Sequence, residues 1–349
     1  MTIAGVASAL PPHQYDQRVL LQALQKHWGP KVDNPVFLER LQARVGVETR
    51  HLALPMAEYY GLTRWGDANN RWIEVALDLG QKALCCALAR AGFSVQDLGA
   101  IFFVSVTGIA SPSIDARLVN RMNLPVNIKR IPIFGLGCVA GAAGIARAAD
   151  YVLAYPKQVA ALLSVELCSL TLQQEDITIA NIISSGLFGD GAAAVLVAGA
   201  ERKADGPEIL ATKSIFYPNS EHVMGWDISE KGFKIVLSRE VPEVIQDHLA
   251  SDVDTFLEEQ GLTRADIGAW VLHTGGPRVL EATQAALGLP DGALDASWQC
   301  LRRTGNLSSA SVLLVLEEFM TKRRPAPGTY SILAAMGPGF CSELVLLRW

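Results

Sequence analysis

Three polar residues stand where chemistry is easily done. Cys138 follows two glycines in "GLGCVAGAAGIARAADYV" (135–152), at the head of a segment built almost wholly from Ala, Gly and Ile. A cysteine where a helix begins meets unpaired backbone N–H groups, whose partial positive charge stabilises a thiolate and makes the sulfur a nucleophile. His273 closes the β-rich run "AWVLHTGGP", and strand ends are where open α/β folds build sites. Asn306, in "RTGNLSSASVLLVLEEF", precedes an apolar helical pattern. Each also has a plain reading: Cys as a small buried hydrophobe, His as a satisfied polar group, Asn as a helix N-cap.

These residues need elements to carry them. Strand-like apolar runs alternate with helical segments, which places the chain in the α/β class. A faint duplication runs through it. "QDLGAIFFVSVTG" (96–108) resembles "ADIGAWVLHTGG" (265–276), and "LGCVAGAAGIA" (136–146) stands against "TGNLSSASVLL" (304–314). A Gly-rich turn into a strand, "LFGDGAAAVLV" (187–197), is echoed by "AMGPGFCSELVLL" (335–347), with an insertion in the first half between Glu166 and Ser185. Three pairs in one order favour two copies of one unit. The charged stretch "GAERKADGPE" (199–208) marks the boundary, giving halves 1–200 and 208–349. Cys138 and Asn306 then occupy equivalent places, each opening the central helix of its half. Few polar residues precede Arg147, so the first of these helices is expected to be buried and closely packed.

Composition narrows the class. The 349 residues carry 30 Lys plus Arg against 35 Asp plus Glu, a net charge of -5, which argues against a nucleic-acid binder. The six cysteines form no CxxC pair and the six histidines no HExxH, so no metal site is indicated. No apolar run reaches membrane-spanning length, and the N-terminus lacks a basic region ahead of its short apolar stretch. A reduced, cytoplasmic protein is expected.

The order Cys, His, Asn in "GCVAGAAG", "LHTGGP" and "TGNLSSAS" resembles the type III polyketide synthases, the chalcone-synthase-like enzymes of the thiolase fold. "LFGDGAAAVLV" and "MGPGF" resemble two further signatures of that family, and the likeness runs from about residue 95 to the C-terminus. The resemblance implies two α-β-α-β-α halves in five layers with central buried helices. It implies that Cys138 carries the acyl chain, and that His273 and Asn306 stabilise the oxyanion and the enolate, His273 also pairing with the thiolate as an imidazolium. Phe188 matches a gatekeeper between tunnel and reaction cavity, and the second gate falls on the aliphatic Ile235. Pro338 matches the loop that shapes the cavity wall, and Val106, Thr107, Cys168, Thr171, Trp226 and Ser308 match further substrate contacts. Arg40 and Arg44 fall where basic residues contact coenzyme A phosphates, a task that suits the guanidinium fork; their plain reading is a solvated helix face. Acyl-CoA and malonyl-CoA are the implied substrates, with no cofactor or metal, and a homodimer is the implied assembly.

Product identity is less constrained. Cys168 and Val106 stand where chalcone-forming plant enzymes have threonines, and Ser111 where they have an interface methionine, which favours a bacterial pyrone-, resorcinol- or naphthalene-forming enzyme. With Ile235 at the gate, the reading is iterative decarboxylative condensation onto a long-chain fatty acyl starter. The alternatives are a tetrahydroxynaphthalene-type synthase that uses only malonyl-CoA, and a ketoacyl synthase that initiates fatty-acid synthesis on a carrier protein. A papain-like hydrolase is disfavoured because Cys138 lies far from the N-terminus, and a catalytically silent scaffold because the polar trio is complete.

Overall fold

Along β4 (Leu98–Val104) successive side chains face opposite ways: Phe102 and Val104 join one apolar cluster, Ile101 and Phe103 another. The computed structural model describes residues 1–31, 36, 39–40 and 43–349. Its first half supplies β1 (Thr2–Ala9), β2 (His13–Asp16), β3 (Thr49–Leu52), β4, β5 (Lys129–Ile133), β6 (Val159–Leu167) and β7 (Asp190–Ala198). The second supplies β8 (Glu208–Phe216), β9 (Met224–Ser229), β10 (Gly232–Leu237), β11 (Ile267–Leu272), β12 (Tyr330–Gly337) and β13 (Cys341–Arg348).

Nine strands form one sheet in the order β11-β12-β13-β8-β1-β7-β6-β4-β5. Read inward from either end, the pairing repeats. β4 runs parallel to β6, β6 antiparallel to β7 and β7 antiparallel to β1; β11 runs parallel to β12, β12 antiparallel to β13 and β13 antiparallel to β8. A single registered pair, Thr2 with Glu208, joins the halves edge to edge. β5 has no counterpart in the second half. The sequence repeat has a local cause here: Ser94 with Asp97 and Thr263 with Asp266 form matching capping boxes just ahead of β4 and β11.

The two central helices, Ala140–Ala154 and Ser311–Thr321, share one apolar cluster with the inner faces of both half-sheets. The outer face of the first half packs on helices Trp65–Ala91 and Ile114–Met122, and that of the second on Val241–Glu258 and Pro277–Leu287. Five layers result. Only small residues permit the central packing. A Cβ on Gly141 would lie 2.3 Å from the Ser309 carbonyl oxygen, and one on Gly144 would lie 2.4 Å from Leu162 Cδ1. The first-half insertion is the 3₁₀ turn Cys168–Thr171 and the helix Ile179–Leu187, where the second half has a short turn between β12 and β13. Among the described residues no helix is long and apolar enough to cross a membrane.

Candidate active site

Cys138 sits in a 3₁₀ turn, Gly137–Val139, that runs directly into the first central helix. Gly137 adopts φ = 54°, and a Cβ there would come within 2.8 Å of Pro338 Cδ, so the turn that presents the sulfur requires glycine. The sulfur lies 3.7 Å from the hydroxyl of Ser308, itself in the left-handed region at φ = 47°. The expectation of a resting thiolate at a helix terminus is corrected. Burial pushes the Cys138 thiol up to about 12, against favourable bonds from Ser308 and Asn306, and nearby Glu166 pushes the same way.

His273 follows β11, its backbone N–H bonded to the Ala334 carbonyl at 3.0 Å. Both ring nitrogens are buried with no hydrogen-bond partner among the described residues. Burial lowers its pKa to about 4, so the imidazole is neutral at pH 7, one nitrogen donating and the other accepting. The expected imidazolium is therefore not the resting form. Burial thus disfavours the charged form of both Cys138 and His273.

Asn306 serves two ends at once. Its Oδ1 accepts from the Ser308 N–H at 2.8 Å and from the Ser311 hydroxyl at 3.3 Å, which is the local turn expected of an asparagine ahead of a helix. Those bonds fix the amide's orientation. Nδ2 is left facing the cavity, with one long contact of 3.4 Å to the Gly275 carbonyl.

A cavity of about 490 Å³ brings Cys138, His273 and Asn306 together with Phe188. Arg44 lines it, and so do Arg239 and Arg278, two exposed cations without an ion pair among the described residues that the sequence reading missed. Cys168, Thr171, Trp226 and Ile235 line a second cavity of about 120 Å³ instead, and Trp226 and Ile235 are direct cross-strand partners on β9 and β10. Phe188 is the one residue, among those described, that lines both. Val106, Thr107, Ser308 and Pro338 line neither. Arg40 is exposed and also lines neither.

Glu166 went unnoticed in the sequence because a single acid in a strand gives no signal. It is fully buried behind Cys138, accepting from Thr107 Oγ1 at 3.0 Å, the Val106 N–H at 3.1 Å, Ser105 Oγ at 3.3 Å and the Ser309 hydroxyl. Burial outweighs those bonds and raises its pKa from 4.5 to about 7. The native state thus keeps a proton that the unfolded chain releases, so the stability this contributes is full below the ordinary carboxylate range and is lost as pH rises through about 7. Asp190, raised to about 6, adds the same sign, whereas His273 acts oppositely and below its ordinary 6.5. Glu166→Gln is therefore expected to flatten the fall in Tm between about pH 5 and 8 by roughly a few degrees, checked by calorimetry across that range. An unchanged slope would show that Glu166 is ionised in the native protein.

Residues 45–201 match the model for the N-terminal domain of chalcone and stilbene synthases, and residues 208–349 that for the C-terminal domain. The chain is 50% identical to a 1,3,6,8-tetrahydroxynaphthalene synthase of Streptomyces peucetius subsp. caesius, over 100% of this chain and 93% of that protein. It is 38% identical to a putative chalcone synthase of Bacillus subtilis (strain 168), over 87% of this chain and 86% of that one. The crystal structure of 1,3,6,8-tetrahydroxynaphthalene synthase from Streptomyces coelicolor A3(2), a bacterial type III polyketide synthase, superposes with a TM-score of 0.94 at 30% identity, covering 100% of this chain and 99% of that one.

Proposed function

Because the chain belongs to the chalcone and stilbene synthase family and is a type III polyketide synthase, we propose that it makes 1,3,6,8-tetrahydroxynaphthalene from malonyl-CoA alone. The observation that carries this reading is the 50% identity, end to end, to a synthase of that product. It favours the malonyl-only alternative, so the long-chain fatty acyl starter is set aside.

The Cys138 sulfur attacks the thioester carbonyl of malonyl-CoA, His273 takes the thiol proton, and coenzyme A leaves with a proton. Each further malonyl-CoA loses carbon dioxide, and the enolate oxygen receives the His273 and Asn306 N–H groups. The enolate carbon then attacks the Cys138 thioester and expels the sulfur, leaving the chain, two carbons longer, on coenzyme A; Cys138 takes it back by a further thioester exchange that releases coenzyme A. Five malonyl units, each shedding one carbon dioxide, supply the ten carbons of a naphthalene. One ring closes by aldol reaction with loss of water, and the other by attack on the thioester that frees Cys138. Incubation with malonyl-CoA as the sole substrate is expected to yield tetrahydroxynaphthalene by mass spectrometry. Turnover that requires a separate acyl-CoA starter would overturn the reading.

We assign Arg44, Arg239 and Arg278 to the coenzyme A phosphates, since all three line the larger cavity, and leave Arg40 as a solvated cation. Arg278→Ala and Arg239→Ala are each expected to raise KM for malonyl-CoA several-fold with kcat nearly unchanged, because the contact is made equally in ground and transition states. Unchanged KM in both would place the phosphates elsewhere. The substrates are acyl-CoA thioesters with no metal or cofactor, in a cytoplasmic enzyme whose halves are 1–200 and 208–349. We place a homodimer contact along β5, an edge strand of the sheet, where Phe134 and Ile109 are exposed. Light scattering is the check: a monomer's mass would remove that contact.

A further inference from the structure

We infer that Arg50, with Gln17, is a positioning residue that fixes the Phe188 gate by holding the carbonyls at the end of the helix Ile179–Leu187, and so helps to set product length. The inference rests on the reading of Phe188 as the divider between the two cavities.

A helix end leaves its last carbonyls without partners, and a left-handed glycine usually turns the chain back to satisfy them. Here the chain instead leaves through Phe188 in extended conformation, φ = −81° and ψ = 142°. Its carbonyls are met from outside. Arg50 Nη1 donates to the carbonyls of Ser185 at 2.6 Å and Phe188 at 2.7 Å. Gln17 Nε2 donates to that of Gly186 at 2.8 Å, and the Asn306 N–H to that of Leu187 at 2.9 Å. Arg50 Nε in turn donates to Gln17 Oε1 at 3.0 Å, so the two side chains form one clamp.

Arg50 is 3% exposed. Burying a guanidinium is costly, and this one makes three hydrogen bonds to backbone and glutamine rather than to a bidentate carboxylate. Burial lowers its pKa to about 10, which leaves it charged at neutral pH, with Asp190 favouring that charge. Asp190, two residues beyond Phe188, is bonded to the N–H and hydroxyl of Ser169 and to the Ala53 N–H. The gate segment is thereby tied to the turn that carries Cys168 and Thr171. The site admits no slack: a Cβ on Gly305 would lie 2.6 Å from the Leu187 carbonyl oxygen and 3.2 Å from Arg50 Cδ. Arg50 lines the smaller cavity and not the one containing Cys138, and the double variant below separates action through Phe188 from direct contact with the chain.

The test compares Arg50→Gln, Arg50→Lys, Gln17→Leu, Phe188→Ala and the Arg50→Gln/Phe188→Ala pair, with malonyl-CoA as substrate. The readouts are the ratio of full-length product to shorter released ketides, KM, kcat and circular dichroism. Phe188→Ala is expected to change the ratio at least fivefold, Arg50→Gln in the same direction, and Gln17→Leu by less. Arg50→Lys should fall between Arg50→Gln and wild type, because an ammonium lacks the planar fork. KM should stay within twofold. The double variant should match Phe188→Ala alone, since a residue that acts through the gate adds nothing once the gate is gone. A folded Arg50→Gln protein with the wild-type ratio, or an effect that adds in full to Phe188→Ala, overturns the inference. If Arg50→Gln does not fold, a folded Gln17→Leu protein with an unchanged ratio does the same. An unchanged ratio in Phe188→Ala would instead show that the gate reading itself has failed.

Discussion

Cys138→Ala is expected to lower polyketide formation by at least about a thousandfold while leaving the decarboxylation of malonyl-CoA in place. Loss of the sulfur removes the atom that carries the chain, and the hydroxyls that also line the cavity, those of Ser238 and Thr283, are far weaker nucleophiles at neutral pH. Decarboxylation asks for something different, namely stabilisation of an enolate oxygen, and His273 and Asn306 remain. Alanine keeps the Cβ and gives up the sulfur's contacts to Ser308 and Asn306, so the fold should survive at a cost of about 1 kcal/mol. The two activities separate cleanly: product by mass spectrometry, carbon dioxide by a coupled assay, fold by circular dichroism. Undiminished product would remove Cys138 from the mechanism. Alkylation of the wild-type protein gives a second check. Iodoacetamide should reach the exposed Cys85 and Cys86 first, then Cys138, and Cys168 last, because burial, with Glu166 and Asp190 beside it, pushes the Cys168 thiol well above its ordinary value.

The features legible in the sequence were those with a local cause. The duplicated motifs at 96–108 and 265–276 register because Asp97 and Asp266 each close a capping box, and the Gly/Ala run at 140–146 registers because Gly141 and Gly144 have no room for a side chain. What stayed hidden depends on distant parts meeting. Arg50 carries no signal in the sequence, and its partners appear only when β3 is laid against the end of Ile179–Leu187. Ile235 reads as a second gate and Trp226 as a substrate contact, but only the hairpin shows that the two are cross-strand partners lining the smaller cavity with Phe188. The charge state of Cys138 was misread for the same reason. Its turn does lead into a helix, but desolvation, which only the packed structure reveals, outweighs that terminus.

The donor pair carries the other large effect. His273→Gln and Asn306→Ala are each expected to slow decarboxylation and condensation together by about 10²–10³, with the double variant well short of the product of the two, since both act on one oxygen. His273→Gln should also slow alkylation of Cys138 at neutral pH. Without the imidazole as acceptor, the thiol stays near the high value that burial gives it. Asn306→Ala alone is ambiguous, because it removes the Oδ1 bonds to Ser308 and Ser311 as well as the Nδ2 donor, a capping loss of about 1 kcal/mol. Asn306→Asp resolves this. Its carboxylate can still accept from Ser308 and Ser311 but has no N–H to offer the enolate. Comparable losses of decarboxylation in the two variants would assign the chemistry to Nδ2, with Tm read for each because the aspartate also buries a carboxylate. An active Asn306→Asp enzyme would reduce Asn306 to a helix cap and leave His273 as the sole donor of the pair.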